Sequence, residues 1–470
     1  MSIILKNYTY AMVTALIGLQ RFAEAGTVVN TTTGTVNAYT GEAQATGAMS
    51  AGMKTYYDTE MLENARNQHY FAQFGKKQVL PRNHGMTIEW RKWNTLPLAD
   101  VLKEAVIPTS KRLGETAITG SIRELGMYVT LSRSIQLHHV DNVILGATEE
   151  LGASAGDTQD VAVRNALAEG TNVLYADSVK NGVESEVKGR WQLDESCLLT
   201  PDVVNQVFTI MSKNKVPQID GKYVGIVHPS VAYDLRSSEE WTDAHKYASP
   251  EEIYNGEIGE LHGIRFVRTP TAPVWAGEPL NGDTSRYLSM TTTYSSSDTG
   301  GSPTYGAASN YKLVISETPA EALVGRYCHV YDASESKYVG SVQIVGVDVS
   351  GKALWLDTDL GITPASGDKL FPGEGGAEPT DGTSGMAVYG CMFFGKDAYG
   401  IIDPEGAGLE MIIKTPEQAG GPLNQFSTAG YKLSEGTKIL YQERLLRVEC
   451  CSRRYSKKDQ SNMQPFKEAE

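Results

Sequence analysis

The chain has 470 residues, 41% of them hydrophobic and 21% charged, which is typical of a soluble protein with a sizeable core. This length predicts two or three domains. The net charge of −14 argues against a protein that grips nucleic acid over its whole surface, because such proteins are usually basic.

The five cysteines are odd in number and irregular in spacing, so we predict neither a disulfide framework nor a zinc site. A reducing cytoplasm is the expected folding compartment. Residues 9–25 are largely apolar, but Lys6 is the only charge before them and Gln20 and Arg21 interrupt the run, so we expect no signal peptide. No apolar run approaches the roughly 18 residues of a membrane span.

Residues 1–74 are predicted to form an extended N-terminal arm. Residues 26–52 are rich in Thr, Gly, Ala and Asn and have little to bury, so alone they should be disordered. We therefore expect something outside the subunit core to hold this arm.

Residues 75–135 are predicted to form a long β-ribbon, since Met86, Ile88 and Trp90 alternate with polar residues and the same period recurs at Met127 and Val129. The excursion at 96–120 has too little apolar content to be stable alone. Residues 76–133 hold ten basic and five acidic residues, a net charge of +5 that leaves −19 for the remainder. Such a segment can dock on a neighbouring copy, and an ordinary solvated hairpin is an equal alternative.

Residues 139–176 are predicted to form a long helix, which Gly156 could divide in two. Its apolar stripe consists of Val140, Ile144, Ala147, Leu151, Ala155, Ala162, Ala166 and Leu167. An α/β block follows at 200–275. Thr200 and Pro201 indicate a helix start, residues 224–227 a buried strand, and Pro229 a second helix start. Ile264 and Phe266 indicate the buried face of another strand.

Residues 280–385 change in composition, with Ser, Thr, Gly and Asp around alternating valines and a turn at 350–351. They predict a small β-barrel or sandwich of about 80 to 100 residues. Buried strands at 387–395 and 445–450 resume the earlier pattern, so this β-rich segment interrupts one α/β domain. The charged tail from Arg453 is expected to be loosely held.

The motifs that come nearest to chemistry all favour a structural explanation. His228 has no partner base or nucleophile, and we expect a satisfied histidine beside a turn. Residues 390–396 approach a phosphate loop, but Asp397 stands where Ser or Thr should bind magnesium. Asp357 and Asp359 fit a hairpin end better than a calcium site. We predict no catalytic, cofactor-binding or metal-binding residue, no cofactor, and no enzymatic activity.

Several segments, in the right order, resemble the major capsid proteins of tailed phages with the HK97-like fold, most closely the N4-like type. Residues 102–108 resemble the Glu-Gly-x-x-Pro element of the capsid ribbon, with Ala105 where Gly is common, and residues 124–132 resemble its returning strand. The helix from Val140 resembles the spine helix. Residues 227–229 and 255–267 resemble the peripheral-domain sheet, and 389–402 the axial-domain strands. Residues 280–385 depart from the minimal pattern and resemble surface decorations of some members.

This resemblance implies an α+β fold with an N-terminal arm (1–74) and an extended β-loop (75–135). It implies a spine helix with a peripheral-domain α/β core (136–279), an inserted small all-β surface domain (280–385), and axial-domain strands with the C-terminal tail (386–470). The expected assembly-interface residues, all in the extended β-loop, are Trp90, Trp93, Lys103, Glu104, Lys111, Arg112 and Arg123. Trp90 and Trp93 also suit base stacking, although packing beneath a loop is the commoner use of tryptophan.

The implied function is a homo-oligomeric icosahedral shell of hexamers and pentamers, assembled in the host cytoplasm and present in the virion. It would enclose packaged double-stranded DNA without sequence-specific binding or membrane contact, with portal, scaffold or decoration proteins as partners. One alternative is an encapsulin-like nanocompartment shell. Another is a secreted β-rich surface or adhesion protein, which the Ser/Thr/Gly composition of 280–385 suggests. An enzyme of unfamiliar mechanism would need paired acids or a metal in a cleft.

Overall fold

The computed structural model describes residues 28–30, 34–37, 43–46, 70–81, 85–94, 96–102, 109–138, 143–180, 182–238, 241, 259–281, 286–297, 301–378, 385–404, 409–418, 424–463 and 466. For residues 28–46 this description covers the backbone alone.

The described α-helices are α1 (Arg133–His138), α2 (Val143–Ala168), α3 (Pro201–Lys213) and α4 (Pro229–Arg236). The predicted start of α3 is confirmed, because the Thr200 side chain accepts a hydrogen bond from the Val203 N–H at 3.4 Å and Pro201 occupies the first turn. His228 caps α4 through Nδ1, which accepts from the Ser230 N–H at 3.2 Å. His228 is thus the satisfied histidine that the sequence predicts.

A seven-stranded mixed sheet holds a large core, and its strands are β8 (Val173–Tyr175), β11 (Tyr223–Val227), β12 (Gly259–Leu261), β13 (Ile264–Arg268), β14 (Val274–Trp275), β22 (Val388–Phe394) and β26 (Leu445–Cys450). Their order is β12-β13-β11-β22-β26-β8, with β14 beside β22. Every residue of β11 and β22 is buried, as their continuous apolar sequences predict. Ile264 and Phe266 are likewise buried on one face of β13.

This sheet joins the segments on either side of residues 280–385, in agreement with the prediction that this β-rich segment interrupts one α/β domain. β11 and β13 precede the β-rich segment, while β22 and β26 follow it, yet β11 is hydrogen-bonded to β22. The reason is that the chain leaves and re-enters at one place, since Trp275 of β14 pairs with Val388 of β22. The peripheral and axial labels for 136–279 and 386–470 therefore do not separate two sheets.

An eight-stranded sheet forms a second layer, and its strands are β1 (Val28–Asn30), β2 (Gly34–Asn37), β3 (Ala43–Thr46), β4 (Lys76–Leu80), β7 (Arg123–Ser132), β23 (Tyr399–Pro404), β24 (Leu409–Lys414) and β25 (Phe426–Ile439). Their order is β3-β2-β1-β7-β25-β23-β4, with β24 also beside β25. Helix α2 packs on this sheet, where Leu151 and Ala155 meet Ala429, Tyr431 and Leu433.

The strands β1 to β3 correct the expectation that residues 26–52 have no structure of their own. β1 pairs in parallel with β7 of the same subunit, with Val29 opposite Thr130. Thr and Val favour strands, and the edge of β7 offers unpaired backbone groups. Most other residues of the arm lie outside the described part of the chain.

Helix α2 agrees with the predicted long helix in its first half and differs in its second. It runs unbroken past Gly156 and ends at Ala168, because residues 173–175 form β8. Its later buried face carries Asp160 and Arg164 rather than Ala162 and Ala166. The Asp160 carboxylate accepts from the Phe71 N–H (2.8 Å) and the Thr271 hydroxyl (3.0 Å), so this buried charge is satisfied.

Residues 288–372 form a β-barrel, whose strands are β15 (Leu288–Ser295), β16 (Tyr305–Gly306), β17 (Tyr311–Ile315), β18 (Tyr327–Asp332), β19 (Lys337–Asp348), β20 (Ala353–Leu356) and β21 (Lys369–Pro372). The order β19-β18-β21-β15-β17-β20 closes on itself because β20 also pairs with β19, and β16 adds to β19. Leu313, Val330, Ile344 and Leu354 belong to its own core. Of the two predicted forms, barrel or sandwich, the strand order shows the barrel, and the predicted hairpin at 350–351 is present.

The remaining strands form two ribbons, β5 (Thr87–Trp93) with β6 (Glu115–Ser121) and β9 (Ser178–Lys180) with β10 (Val183–Ser185). Short 3₁₀ turns lie at Arg190–Gln192, Glu321–Leu323 and Gln442–Arg444.

The C-terminal tail is held more firmly than the sequence suggests. The Asn462 amide accepts from the Val274 N–H at 2.9 Å and donates to the Ala272 carbonyl at 2.8 Å. Asp459 accepts from the hydroxyls of Ser230 and Tyr389, each at 2.7 Å. The expectation of a loose tail is therefore wrong for residues 453–463, whose polar side chains replace apolar packing with hydrogen bonds.

Candidate assembly interface

The β5–β6 hairpin is the main part of the predicted extended loop. Its two strands pair in register from Thr87 opposite Ser121 to Trp93 opposite Glu115, and the Asn94 N–H continues the ladder to the Gly114 carbonyl at 2.9 Å. Most residues of both strands are exposed or only half-buried. The hairpin is thus a two-stranded ribbon, a form that has little stability without further packing.

Large apolar side chains at the end of this hairpin face solvent in the isolated subunit. Leu98 is 92% exposed and Val101 is 94% exposed. Leu96, Leu102 and Leu113 are also largely exposed. Scattered surface leucines need no explanation, but a concentration of exposed apolar residues in one loop is typical of a contact surface. We call these five residues the apolar tip.

The charged residues predicted for the interface differ in their surroundings. Lys111 forms an ion pair with Asp100 across the loop at 2.6 Å, so its charge is partly balanced inside the hairpin. Arg112 is exposed and has no ion pair or hydrogen bond to another described residue. Arg123 stands opposite Glu435 in the β7–β25 ladder, at the base of the hairpin. Lys103 and Glu104 lie outside the described residues.

The two predicted tryptophans have different surroundings. Trp93 is 60% exposed and remains available to a partner. Trp90 is half-buried against its own subunit, because Gly120 and Gly400 leave space for the indole ring: a Cβ at either glycine would lie within 3 Å of it. Trp90 therefore packs against its own subunit, the commoner of the two uses predicted for it, and its part in an interface between subunits stays a prediction.

A second contact fixes the base of the hairpin. The Lys92 ammonium pairs with the Glu443 carboxylate at 2.7 Å and lies 4.3 Å from the centre of the Tyr441 ring. Together with Trp90, it attaches the strands to the body while the apolar tip stays uncovered. The hairpin is therefore attached to its own subunit at its base and exposed at its end.

Glu435 is a buried acid at this base. It is 6% exposed, and the Thr437 hydroxyl donates to its carboxylate at 2.7 Å. Burial raises the pKa of Glu435 to about 7, while Thr437 and the charge of Arg123 act in the opposite direction. The group is thus poised to change its charge near neutral pH.

Strand β24 is an exposed apolar surface that sequence reasoning missed. All six of its residues are exposed, including Leu409, Met411, Ile412 and Ile413. Such a strand would usually have one buried face. The signal in the sequence was Met411-Ile412-Ile413, where apolar residues occupy both faces without alternation. This strand is a further candidate contact surface.

No group of three or more His, Cys, Asp or Glu side chains among the described residues is arranged to hold a metal ion. All five cysteines are buried and unpaired, and burial raises the pKa of the Cys197 thiol to about 11. None of the described helices is long and apolar enough to cross a membrane.

The fold belongs to a known class. The solved capsid of cyanophage Pam1 matches over 87% of this chain and 98% of its own, at 12% sequence identity and a TM-score of 0.50. Capsids of cyanophage P-SCSP1u (11% identity, 87% of this chain and 95% of that chain) and Ralstonia phage GP4 (10% identity, 88% and 97%) each give a TM-score of 0.49. The chain thus has a phage capsid-like, strand-rich fold with mixed α/β content.

The sequence itself gives a more specific match. Residues 136–311 fit the family described as phage capsid protein, a segment that runs from within α1, through α2, α3 and α4, into the barrel. No curated protein matches the chain. The family match and the capsid fold support a major capsid protein that forms a phage head shell.

Proposed function

We propose that this chain is a major capsid protein of the HK97-like, N4-like type that self-assembles into an icosahedral head of hexamers and pentamers around packaged double-stranded DNA. The role is structural and non-catalytic. Subunits assemble in the host cytoplasm and persist in the virion, with portal, scaffold or decoration proteins as further partners. The observation that carries the proposal is the apolar tip, which is exposed in the subunit on a hairpin fixed at its base.

The hairpin fits this role because its two ends have opposite properties. Trp90 and Lys92 hold the base against the subunit's own β23 and the turn at 442–444. Leu98 and Val101 would gain hydrophobic stabilisation only on a neighbouring copy. The net charge of +5 on residues 76–133 complements the acidic remainder, which favours docking between identical subunits. An acidic body also fits a container that does not bind its DNA tightly.

The barrel at 288–372 fits an inserted surface domain held at a fixed angle. The Arg326 guanidinium donates to the Glu374 carboxylate (3.0 Å and 3.1 Å) and to the carbonyls of Glu278 (2.7 Å) and Pro279 (3.1 Å). These bonds tie the barrel to both connecting segments. We propose that it stands on the outside of the shell, where it meets no neighbouring core.

Charge reversal in the hairpin tests the proposal. In K111E/R112E, residue 111 becomes a second acid beside Asp100, and the basic surface is lost. We expect the variant to remain in small species by sedimentation velocity, with a thermal unfolding midpoint close to that of the wild type. The matched control is K213E/K215E at the exposed end of α3, which makes the same charge change and should assemble. Normal assembly of K111E/R112E, or loss of its fold, would contradict the inter-subunit role.

A further inference from the structure

An open cavity of about 630 Å³ lies between α4, the end of β13 and the C-terminal tail, far along the chain from the hairpin. Its position follows from topology. β11 and β13 are parallel neighbours with Val227 opposite Arg268, and α4 begins directly after β11. In α/β sheets, ligands bind in the crevice beyond the carboxyl ends of parallel strands. The volume lies within the roughly 300–1,000 Å³ of small-molecule sites.

The charged groups of this cavity favour an anion. Arg236 and Arg268 both line it, and neither guanidinium has an ion pair or hydrogen bond to another described residue. Arg454 lies nearby, with its guanidinium 5.3 Å from the centre of the Tyr233 ring. The acid in the lining is Asp459, and one of its oxygens already accepts from the hydroxyls of Ser230 and Tyr389. The balance of charge is positive in a chain of net charge −14.

A histidine and a pair of tyrosines limit the chemical class of ligand that the cavity can bind. His228 uses Nδ1 to accept from the Ser230 N–H, so its neutral ring carries a proton on Nε2 as a hydrogen-bond donor. Burial lowers the pKa of His228, which keeps the ring neutral at physiological pH. Tyr233 and Tyr455 line the cavity with their rings 6.0 Å apart in an edge-to-face arrangement. Guanidinium forks suit phosphate oxygens, and tyrosine faces suit bases.

We propose that this cavity binds the phosphate of a nucleotide, with Arg236 and Arg268 on the phosphate oxygens and Tyr233 and Tyr455 beside the base. The ligand is either a free mononucleotide or a nucleotide within a nucleic acid strand, since both present the same group. The site goes beyond the shell-forming role and does not depend on it.

The test is titration of the full-length protein with dTMP, with inorganic phosphate and with a short single-stranded DNA, whose bases are free to stack, and binding is measured by calorimetry. R236Q/R268Q removes both guanidinium groups at exposed positions and should weaken binding roughly 100-fold, about tenfold for each lost charged hydrogen-bonding group. D459N removes the opposing charge and should tighten binding severalfold. K213Q/K215Q, with the same loss of charge outside the cavity, should bind as the wild type does.

The three probes distinguish the two possible sources of the phosphate group, a free nucleotide and a nucleic acid strand. Binding of dTMP that R236Q/R268Q weakens supports a free nucleotide, and binding of the single strand alone with the same sensitivity supports a strand. Binding of inorganic phosphate without any binding of dTMP or of the single strand overturns the proposal. Equal affinity of the wild type and R236Q/R268Q for every probe, or no binding at millimolar concentrations, overturns the proposal. Thermal unfolding of each variant shows whether the fold is intact.

Discussion

The apolar tip gives the sharpest prediction, through the double substitution L98D/V101D. Leu98 and Val101 are 92% and 94% exposed in the subunit, so replacing them should change the free energy of unfolding by no more than about 0.5 kcal/mol. If both side chains are buried on a neighbouring subunit, each substitution removes about 1.5–3 kcal/mol of hydrophobic stabilisation from that contact. Each contact between subunits then weakens by about 3–6 kcal/mol, roughly 100- to 20,000-fold in affinity.

Two measurements on the same preparations separate these effects. Thermal unfolding followed by circular dichroism reports the subunit, and sedimentation velocity reports assembly. We expect L98D/V101D to unfold as the wild type does and fail to form large particles. The control L98M/V101I keeps both side chains apolar and should assemble. Particles of normal size from L98D/V101D would refute the reasoning, as would a large fall in its unfolding midpoint.

Three further predictions concern stability, measured by urea unfolding. W90A should lower the free energy of unfolding by about 2–4 kcal/mol, because it empties the groove beside two glycines. W90F should be nearly neutral, because the buried Trp90 N–H has no acceptor to lose. Equal losses in the two variants would contradict this anchoring role. Burial raises the pKa of Glu435 from 4.5 to about 7, so between these values the folded protein keeps a proton that the unfolded chain releases. The free energy of unfolding of the wild type should therefore fall by about 3 kcal/mol as pH rises from 4.5 to 7. E435Q should not show this fall, and a fall of the same size in E435Q would mean that another group causes it. E449A should lower the free energy of unfolding by about 3–5 kcal/mol, because it leaves Arg190 and Arg447 without the buried carboxylate that they share. A fall of less than 1 kcal/mol would contradict this role of Glu449.

The sequence predicts the elements whose signals are local. The cap at Thr200, the continuous apolar strand at 388–394 and the valine alternation of β19 each depend on a few adjacent residues. The resemblance to phage capsid proteins agrees with the family match at 136–311. A barrel, one of the two forms predicted for this segment, is also present, although its closure needs pairing between strands distant in sequence, such as β15 with β21.

What the sequence does not predict depends on distant partners. Asp160 and Arg164 look exposed on a helical wheel, but Thr271 and Asn462 satisfy them in the interior. In the sequence, Trp90 suggests a surface role. In the structure, Gly400, which is far along the chain, leaves the space that the Trp90 indole fills. The nucleotide cavity is equally hidden, since Arg236, Arg268 and Asp459 come together only when parallel strands and the tail are in place.

Electron microscopy of the purified full-length protein tests the central claim most directly. The account predicts closed polyhedral shells of hexamers and pentamers, with the β5–β6 hairpin of each subunit lying on its neighbour and the apolar tip covered. Dispersed single subunits, or shells in which Leu98 and Val101 remain in solvent, would contradict it.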